Sequence, residues 1–347
     1  MTNPSSPAKP RPGDRVAVLS PSSGLPGILP LPFELGLRRL REEFALVPVE
    51  YPSTRKMGST PRERAADIHA AFSDPAVRAV FASIGGDDQI TVLPYLDREL
   101  LRANPKPFFG YSDNTSLLVF LERLGIVGYH GGSVMVELGR PGAMHPLTAG
   151  SLRAALFTHD AHELVPAEES GCVNGRWEDP RTFDAEPAML PADGWTWHNA
   201  DRVVEGASWG GELEILSWML MADREIRPVA EYEGRVLFLE TSEEMPGADQ
   251  VYRILRNMGE RGLLERFPAL LMGRARNWSF ESPLGAKEGE EYRVLQRQAV
   301  LRALSEYAPA TMAVFDVDLG HTDPQLIIPY GGRVRVDGPA RRIVVTY

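Results

Sequence analysis

Four short segments carry side chains that together could hydrolyse an amide. The first, Phe109-Gly-Tyr-Ser-Asp-Asn-Thr115, places a serine between an apolar run and a helical pattern. A serine on a tight strand-to-helix turn has its hydroxyl lifted clear of the backbone. The amide behind it and the helix N-terminus then face an incoming oxyanion. Gly110, two residues before Ser112, suits such a turn, whereas Asn114 stands where Gly-x-Ser-x-Gly has its second glycine. Ser112 or Asp113 would equally serve as a helix cap, and the segment alone does not choose. The second segment, Ser83-Ile-Gly-Gly-Asp-Asp88, ends a strand with two glycines, Gly85 and Gly86. They permit close backbone approach and could lend an N–H to an oxyanion hole. They could also cradle a phosphate, but no GxGxxG pattern or Walker lysine accompanies them.

The third segment, Phe238-Leu-Glu-Thr-Ser-Glu-Glu244, puts Glu240 at a strand end with Glu243 and Glu244 close behind. A carboxylate there could orient an imidazole through its Nδ1 proton, and the residues alone leave all three glutamates open. The fourth, Asp316-Val-Asp-Leu-Gly-His-Thr-Asp-Pro-Gln325, carries His321, a general base suited to neutral pH. Asp316, Asp318 and Asp323 around it hint at a metal site, but no second histidine lies at ligand spacing, so no metal is expected. His130, in Gly-Tyr-His-Gly-Gly, is expected to line the edge of the first domain, and His198 belongs to a tryptophan-containing loop. Cys172 is the single cysteine, so the chain can form neither an internal disulfide nor a thiolate zinc site. Its polar surroundings offer no helix start to activate it.

The elements around these segments set where they meet. Arg15–Ser20, Val77–Ser83 and Pro107–Gly110 read as strands. Phe33–Phe44, a helix opening at Thr60-Pro61 and Thr115–Leu124 read as helices between them. That alternation implies a doubly wound parallel sheet, in which sites lie beyond the carboxyl ends of the strands. Ser208-Trp-Gly-Gly-Glu-Leu reads as a glycine-assisted turn into a helix. Strands follow at 235–240, 269–273, 313–317, 333–337 and 342–347, with an amphipathic helix at 248–259. At 347 residues two domains are expected: 15–150 (α/β), then 208–347 (strand-rich), joined by a crossover and a loop over 151–207. That loop contains Trp177, Trp195 and Trp197, whose large apolar surfaces want a partner. Residues 1–14 read as a frayed leader without the apolar core of a signal peptide, which points to a cytoplasmic protein. A net charge of −10 argues against nucleic acid as a partner, and no apolar run approaches a membrane span.

The order Ser-Ile-Gly-Gly, Gly-Tyr-Ser-Asp-Asn-Thr, Trp-Gly-Gly-Glu-Leu, Phe-Leu-Glu-Thr-Ser and Gly-His-Thr-Asp-Pro-Gln resembles the serine peptidase family that contains the LD-carboxypeptidases and the microcin C immunity protein. The resemblance runs from the first strand to Ile328-Pro329. It implies Ser112 as nucleophile, His321 as base and Glu240 as the carboxylate. It also implies an oxyanion hole from Gly85, Gly86 and Asp113. The implied fold is a Rossmann- or flavodoxin-like N-terminal domain with a β-rich, barrel-like C-terminal domain. A homodimer without cofactor is implied too. Within the family, the tryptophan loop resembles the one that stacks a nucleobase in immunity-type enzymes, with Trp177, Trp195, Trp197 and Trp209 as candidate contacts. The expected substrate is then an aminoacyl- or peptidyl-nucleotide, the alternative being a murein tetrapeptide that loses its terminal D-alanine. Two other classes, a non-catalytic binding module and a phosphate-cradling nucleotide regulator, fit less well. The first predicts a lost triad residue and the second a lysine that is absent.

Overall fold

The computed structural model describes residues 6–173 and 175–347. The first half runs β1 (Arg15–Leu19), α1 (Pro30–Glu42), β2 (Val47–Glu50), α2 (Pro61–Ser73), β3 (Val77–Ala82), α3 (Arg98–Ala103), β4 (Phe108–Gly110), α4 (Thr115–Arg123), β5 (Gly128–His130) and α5 (Pro146–Phe157). The five strands pair in parallel in the order β5-β4-β3-β1-β2. Strands β1, β3 and β4 are apolar on both faces, as a sheet covered on two sides requires. The start of α2 is fixed by a capping box, with Thr60 and Glu63 each satisfying the other's backbone N–H. Strand order reverses direction between β1 and β3, so their carboxyl ends open the crevice where such sheets place a site. Two backbone bonds stitch those ends together, Ser83 N–H to Leu19 O at 2.7 Å and Ser23 N–H to Gly85 O at 3.2 Å.

The second half contains β6 (Ala161–Leu164), the short pair β7 (Glu169–Ser170) and β8 (Leu190–Pro191), then β9 (Thr196–His198), β10 (Val203–Glu212), α6 (Leu213–Met221), β11 (Val236–Glu240), α7 (Ala248–Glu260), β12 (Ala269–Gly273), α8 (Ala286–Tyr307), β13 (Met312–Val317), β14 (Ile328–Tyr330), β15 (Arg333–Asp337) and β16 (Arg342–Thr346). Eight of these strands form one mixed sheet in the order β6-β16-β15-β10-β11-β12-β13-β9, with β10 to β13 parallel. The architecture is thus a mixed α/β fold with parallel-strand sheets in two domains. Strand β14 does not join its neighbours in sequence. It pairs antiparallel with β5 and completes the first sheet as a sixth strand.

Three expectations change. The Ser208–Glu212 segment is the end of a ten-residue strand, not a turn. Gly210 (φ +149°) lets β10 approach β11 so closely that a Cβ there would lie 1.7 Å from Phe238 O. His130 is fully buried, because β14 covers the edge it was expected to line. Residues 1–5 of the presumed leader lie outside the described residues, but the segment from Ser6 onward is packed. Pro7 and Pro10 are buried, and the Lys9 ammonium lies 4.1 Å over the Tyr129 ring while donating to Ala155 O at 2.6 Å. Burial lowers the Lys9 pKa to about 7. Among the described residues no helix is long and apolar enough to cross a membrane.

Candidate active site

Ser112 follows β4 and opens a single 3₁₀ turn that leads into α4. Its φ of +61° lies in the left-handed region, a strained state for a residue with a side chain. The turn is held from several directions. Gly110 leaves no room for a Cβ, which would stand 3.0 Å from that of Ala82. Asn114, in the second glycine's place, donates to Tyr111 O and Ile84 O and accepts from Gln89 at 2.8 Å. The Asp113 carboxylate accepts from Ser22 Oγ and from the Asp88 and Gln89 amides at 3.1 and 2.9 Å. Burial raises the Asp113 pKa to about 6 although these donors pull it back. Asp113 was expected to cap the helix or to lend its N–H to an oxyanion hole. Its side chain also fastens the Gly85-Gly86 loop to the serine turn, so that a Cβ on Gly85 would sit 2.9 Å from both Cβ and Oγ of Ser112.

His321 comes from the loop after β13, and Glu240 ends β11. His321 Nδ1 lies 2.7 Å from Glu240 Oε2. Gly320 (φ +87°) makes this approach possible, since a Cβ there would meet Glu240 Oε2 at 2.5 Å. Gln325 ties the loop to the first domain, donating to Gly320 O at 2.7 Å and accepting from Gly132 N–H at 2.9 Å. The Tyr111 ring packs edge-on against the imidazole, centroids 5.0 Å apart. Of the three glutamates that the residues left open, two reach His321. Glu240 is at Nδ1, and Glu243 Oε2 lies 3.1 Å from Nε2. Burial disfavours the imidazolium, but the two carboxylates outweigh it and hold the His321 pKa well above its ordinary value. Among the described contacts Nε2 pairs with Glu243 and not with Ser112, although Ser112 and His321 line the same cleft.

Models of two protein-family domains match this chain: the LD-carboxypeptidase N-terminal domain over residues 16–131 and the LD-carboxypeptidase C-terminal domain over 205–336. The chain belongs to the LD-carboxypeptidase family. A probable murein peptide carboxypeptidase of Bacillus subtilis is 26% identical over 297 residues, covering 82% of this chain and 76% of its own. The microcin C7 self-immunity protein MccF of Escherichia coli is 24% identical over 298 residues, covering 83% and 79%. Among solved structures, an MccF-like protein from Streptococcus pneumoniae in complex with AMP superposes with a TM-score of 0.83 at 24% identity, over 96% of this chain and 99% of that one.

This LD-carboxypeptidase family member carries two further buried acids that the sequence reading did not single out. Glu212 ends β10 as the register partner of Glu240 on the neighbouring parallel strand. One ligand atom each from Glu212, Glu240 and His321 lies within 4.8 Å of the others. Burial, then the charge of Glu240, pushes the Glu212 pKa well up, while the Ser112 hydroxyl draws it partly back. Its Oε2 and Glu240 Oε1 are buried without a protein partner among the described residues. Three such donors could in principle hold a metal ion. The 2.7 Å Nδ1–Glu240 contact, however, is a hydrogen bond that already occupies the imidazole's inward nitrogen. Glu137, whose Oε2 accepts from Ser133 N–H at 2.7 Å, is raised to about 8 by burial. The sequence signal for Glu212 was its place in Trp-Gly-Gly-Glu-Leu. The aspartates around His321 are each taken by an arginine: Asp316 by Arg297, Asp318 by Arg274 at 3.1 Å and Asp323 by Arg140 at 2.6 Å.

The cleft over Ser112 has a volume of about 650 Å³ and is lined by Trp177, Arg176, Phe280, Leu25 and Ile84. Of the four tryptophans named as candidate contacts, Trp177 alone lines it. Trp195 is fastened to the second domain, its Nε1 donating to Asp318 at 2.8 Å. Trp197 sits on β9 under the Arg341 guanidinium. Trp209 is fully buried in β10, stacked on Phe267 and edge-on to Tyr232, and so belongs to the core. His198 is exposed on β9, and the Cys172 thiol donates to Asn277 Oδ1 at 2.9 Å.

Proposed function

We propose that the chain is a serine-type amide hydrolase using Ser112, His321 and Glu240. The observation that carries the reading is Ser112 itself, held at positive φ at a strand-to-helix turn and pressed against Gly85. Such strain persists where surrounding structure over-determines it, as at nucleophile turns. In the reaction His321 Nε2 takes the Ser112 proton as Oγ attacks the carbonyl carbon. Glu240 accepts from Nδ1–H, fixing the tautomer and stabilising the imidazolium. N–H groups of the Gly85-Gly86 turn and of Asp113 hold the oxyanion, worth roughly 3–4 kcal/mol per donor in serine hydrolases. His321 then protonates the leaving amine, and a water activated by the same nitrogen hydrolyses the ester.

For substrate we favour an aminoacyl group joined to a nucleotide. Trp177 and Phe280 offer flat apolar surfaces for a base, worth about 1–3 kcal/mol per stack, and Arg176 and Arg276 in the same cleft suit an anionic linker. Removal of D-alanine from a murein tetrapeptide is the second reading, supported by the B. subtilis relative at similar identity. Incubation with an aminoacyl sulfamoyl-adenosine and, separately, with a murein tetrapeptide separates them. Release of the amino acid supports the first and D-alanine the second. Cleavage of neither, with wild type and Ser112→Ala equally unreactive toward a fluorophosphonate, defeats the hydrolase reading.

A further inference from the structure

We infer that Glu243 is a specificity residue: its carboxylate covers His321 Nε2 in the free enzyme and is drawn off by the α-ammonium of an aminoacyl substrate. The inference rests on the hydrolase reading above and narrows its substrate class to acyl groups with a free α-amine.

The argument starts from Nε2, which can serve one partner at a time. As general base it must be unprotonated and face Ser112. In the structure it faces Glu243 Oε2 at 3.1 Å. The Glu243 side chain is more than half exposed and, among the described residues, pairs with nothing besides His321. Its neighbour is anchored instead. Ser242 gives its N–H and Oγ to Glu214 at 3.1 and 2.6 Å. The segment after β11 thus has a fixed stem and two exposed acids at its tip, Glu243 and Glu244, of which Glu243 reaches His321, and its side chain can turn away without moving Glu240.

The charges around His321 say what would turn it. Glu240 faces Nδ1; burial pushes the pKa of Glu212 well up and that of Glu137 to about 8, and it lowers that of His130 to about 3. Tyr111 covers one face of the ring, and Arg276 reaches its backbone carbonyl at 3.5 Å. Glu178 and Glu281 also line the cleft, but Glu243 is the cleft-side acid that contacts the ring. The charge of His321 and its hydrogen bond, with Arg276 adding to them, lower the Glu243 pKa to about 2. A carboxylate within hydrogen-bond reach of Nε2 is also within reach of a cation two bonds from a carbonyl carbon poised over Ser112. An α-ammonium is such a cation. Once it takes Glu243, the imidazolium loses one of its two stabilising charges, its proton passes to solvent, and Nε2 becomes a base. A peptidyl or N-acylated substrate has no such charge and leaves the pair in place.

The test compares an aminoacyl sulfamoyl-adenosine with its N-acetyl derivative, using wild type, Glu243→Gln and Glu243→Asp. Wild type is expected to favour the free amine by about tenfold or more in kcat/KM, the equivalent of one pKa unit at His321. Glu243→Gln abolishes that preference and moves the acid limb of the N-acetyl profile to lower pH, whereas Glu243→Asp restores part of it. An NMR titration of the His321 ring, assigned with His321→Gln, is expected to show a lower pKa in Glu243→Gln. A preference kept in Glu243→Gln, or an unchanged His321 titration, overturns the inference. If wild type cleaves neither compound, the aminoacyl-nucleotide reading fails. Calorimetry of both compounds on Ser112→Ala, with the titration, then still decides the role of Glu243.

Discussion

Replacing Gly85 by alanine tests the nucleophile turn directly. The added methyl would stand 2.9 Å from Cβ and from Oγ of Ser112. Relaxed carbon contacts are about 3.5–4.0 Å, so the two parts must separate by roughly 0.6–1.1 Å. Ser112 cannot absorb this alone, because its backbone is already at φ +61° and the next residue, Asp113, is bound to Ser22, Asp88 and Gln89. The Gly85-Gly86 loop cannot absorb it freely either, since Gly85 O accepts from Ser23 N–H at 3.2 Å. The hole and the nucleophile therefore move apart, and a misplacement near 1 Å costs about 100-fold in rate. Overpacking of this size lowers stability by about 1–3 kcal/mol. The rate of Ser112 labelling by a fluorophosphonate measures the effect without assuming a substrate, and a melting curve separates it from unfolding. Gly150→Ala is the matched control. It lies exposed in α5 with nothing within 4 Å of the new methyl, and it is expected to gain about 0.5–1 kcal/mol with the rate unchanged. A folded Gly85→Ala enzyme labelled within about threefold of wild type would refute the packing of hole against nucleophile.

Other outcomes follow from the same geometry. Glu240→Gln leaves the shape but removes the acceptor for Nδ1–H, and kcat should fall by about 10⁴-fold, measured on whichever substrate is turned over. Trp177→Ala should weaken binding of AMP by about 5- to 150-fold, as the loss of one stack does, while Trp197→Ala leaves it unchanged; calorimetry reads both, and equal effects would remove Trp177 from the binding wall. Glu137 holds a proton in the folded state that an unfolded chain loses near pH 4.5, its folded value being about 8. Its contribution to stability is therefore complete below pH 4.5 and declines as pH rises to about 8, by up to about 1.4 kcal/mol per pH unit. Glu137→Gln should flatten that decline in melting curves taken from pH 5 to 8.

Much of the first sheet was legible because buried parallel strands and amphipathic helices alternate with capped starts, as at Thr60-Pro61-Arg-Glu63. The residues that resisted reading did so for physical reasons. Gly210 and Gly211 look like a turn in sequence, yet here they serve contact with Phe238 and Thr115 inside a strand. Trp209 and Trp177 are alike as letters, and only the register of β10 sends one into the core. Helix α8, 22 residues long, is polar around most of its surface and so gave little periodic signal. For the site, local spacing could nominate Ser112 and His321 but not choose among Glu240, Glu243 and Glu244, since an acid's partner lies on another element. Glu212 was invisible for the same cause: its significance is that β10 runs parallel to β11 in register.

The placement of β14 bears on how the chain is made. Strand β5 is finished at His130, but the partner that covers it, Ile328–Tyr330, is nearly two hundred residues further on. At the roughly 5–20 residues per second of synthesis, the first sheet waits about 10–40 s with an open edge. An apolar edge left unpaired that long is where a nascent chain sticks to its neighbours. A fragment ending near residue 150 would keep that edge permanently. Cutting the gene between its two family domains should therefore give an N-terminal piece that aggregates, rescued when a peptide spanning 326–332 is supplied to it.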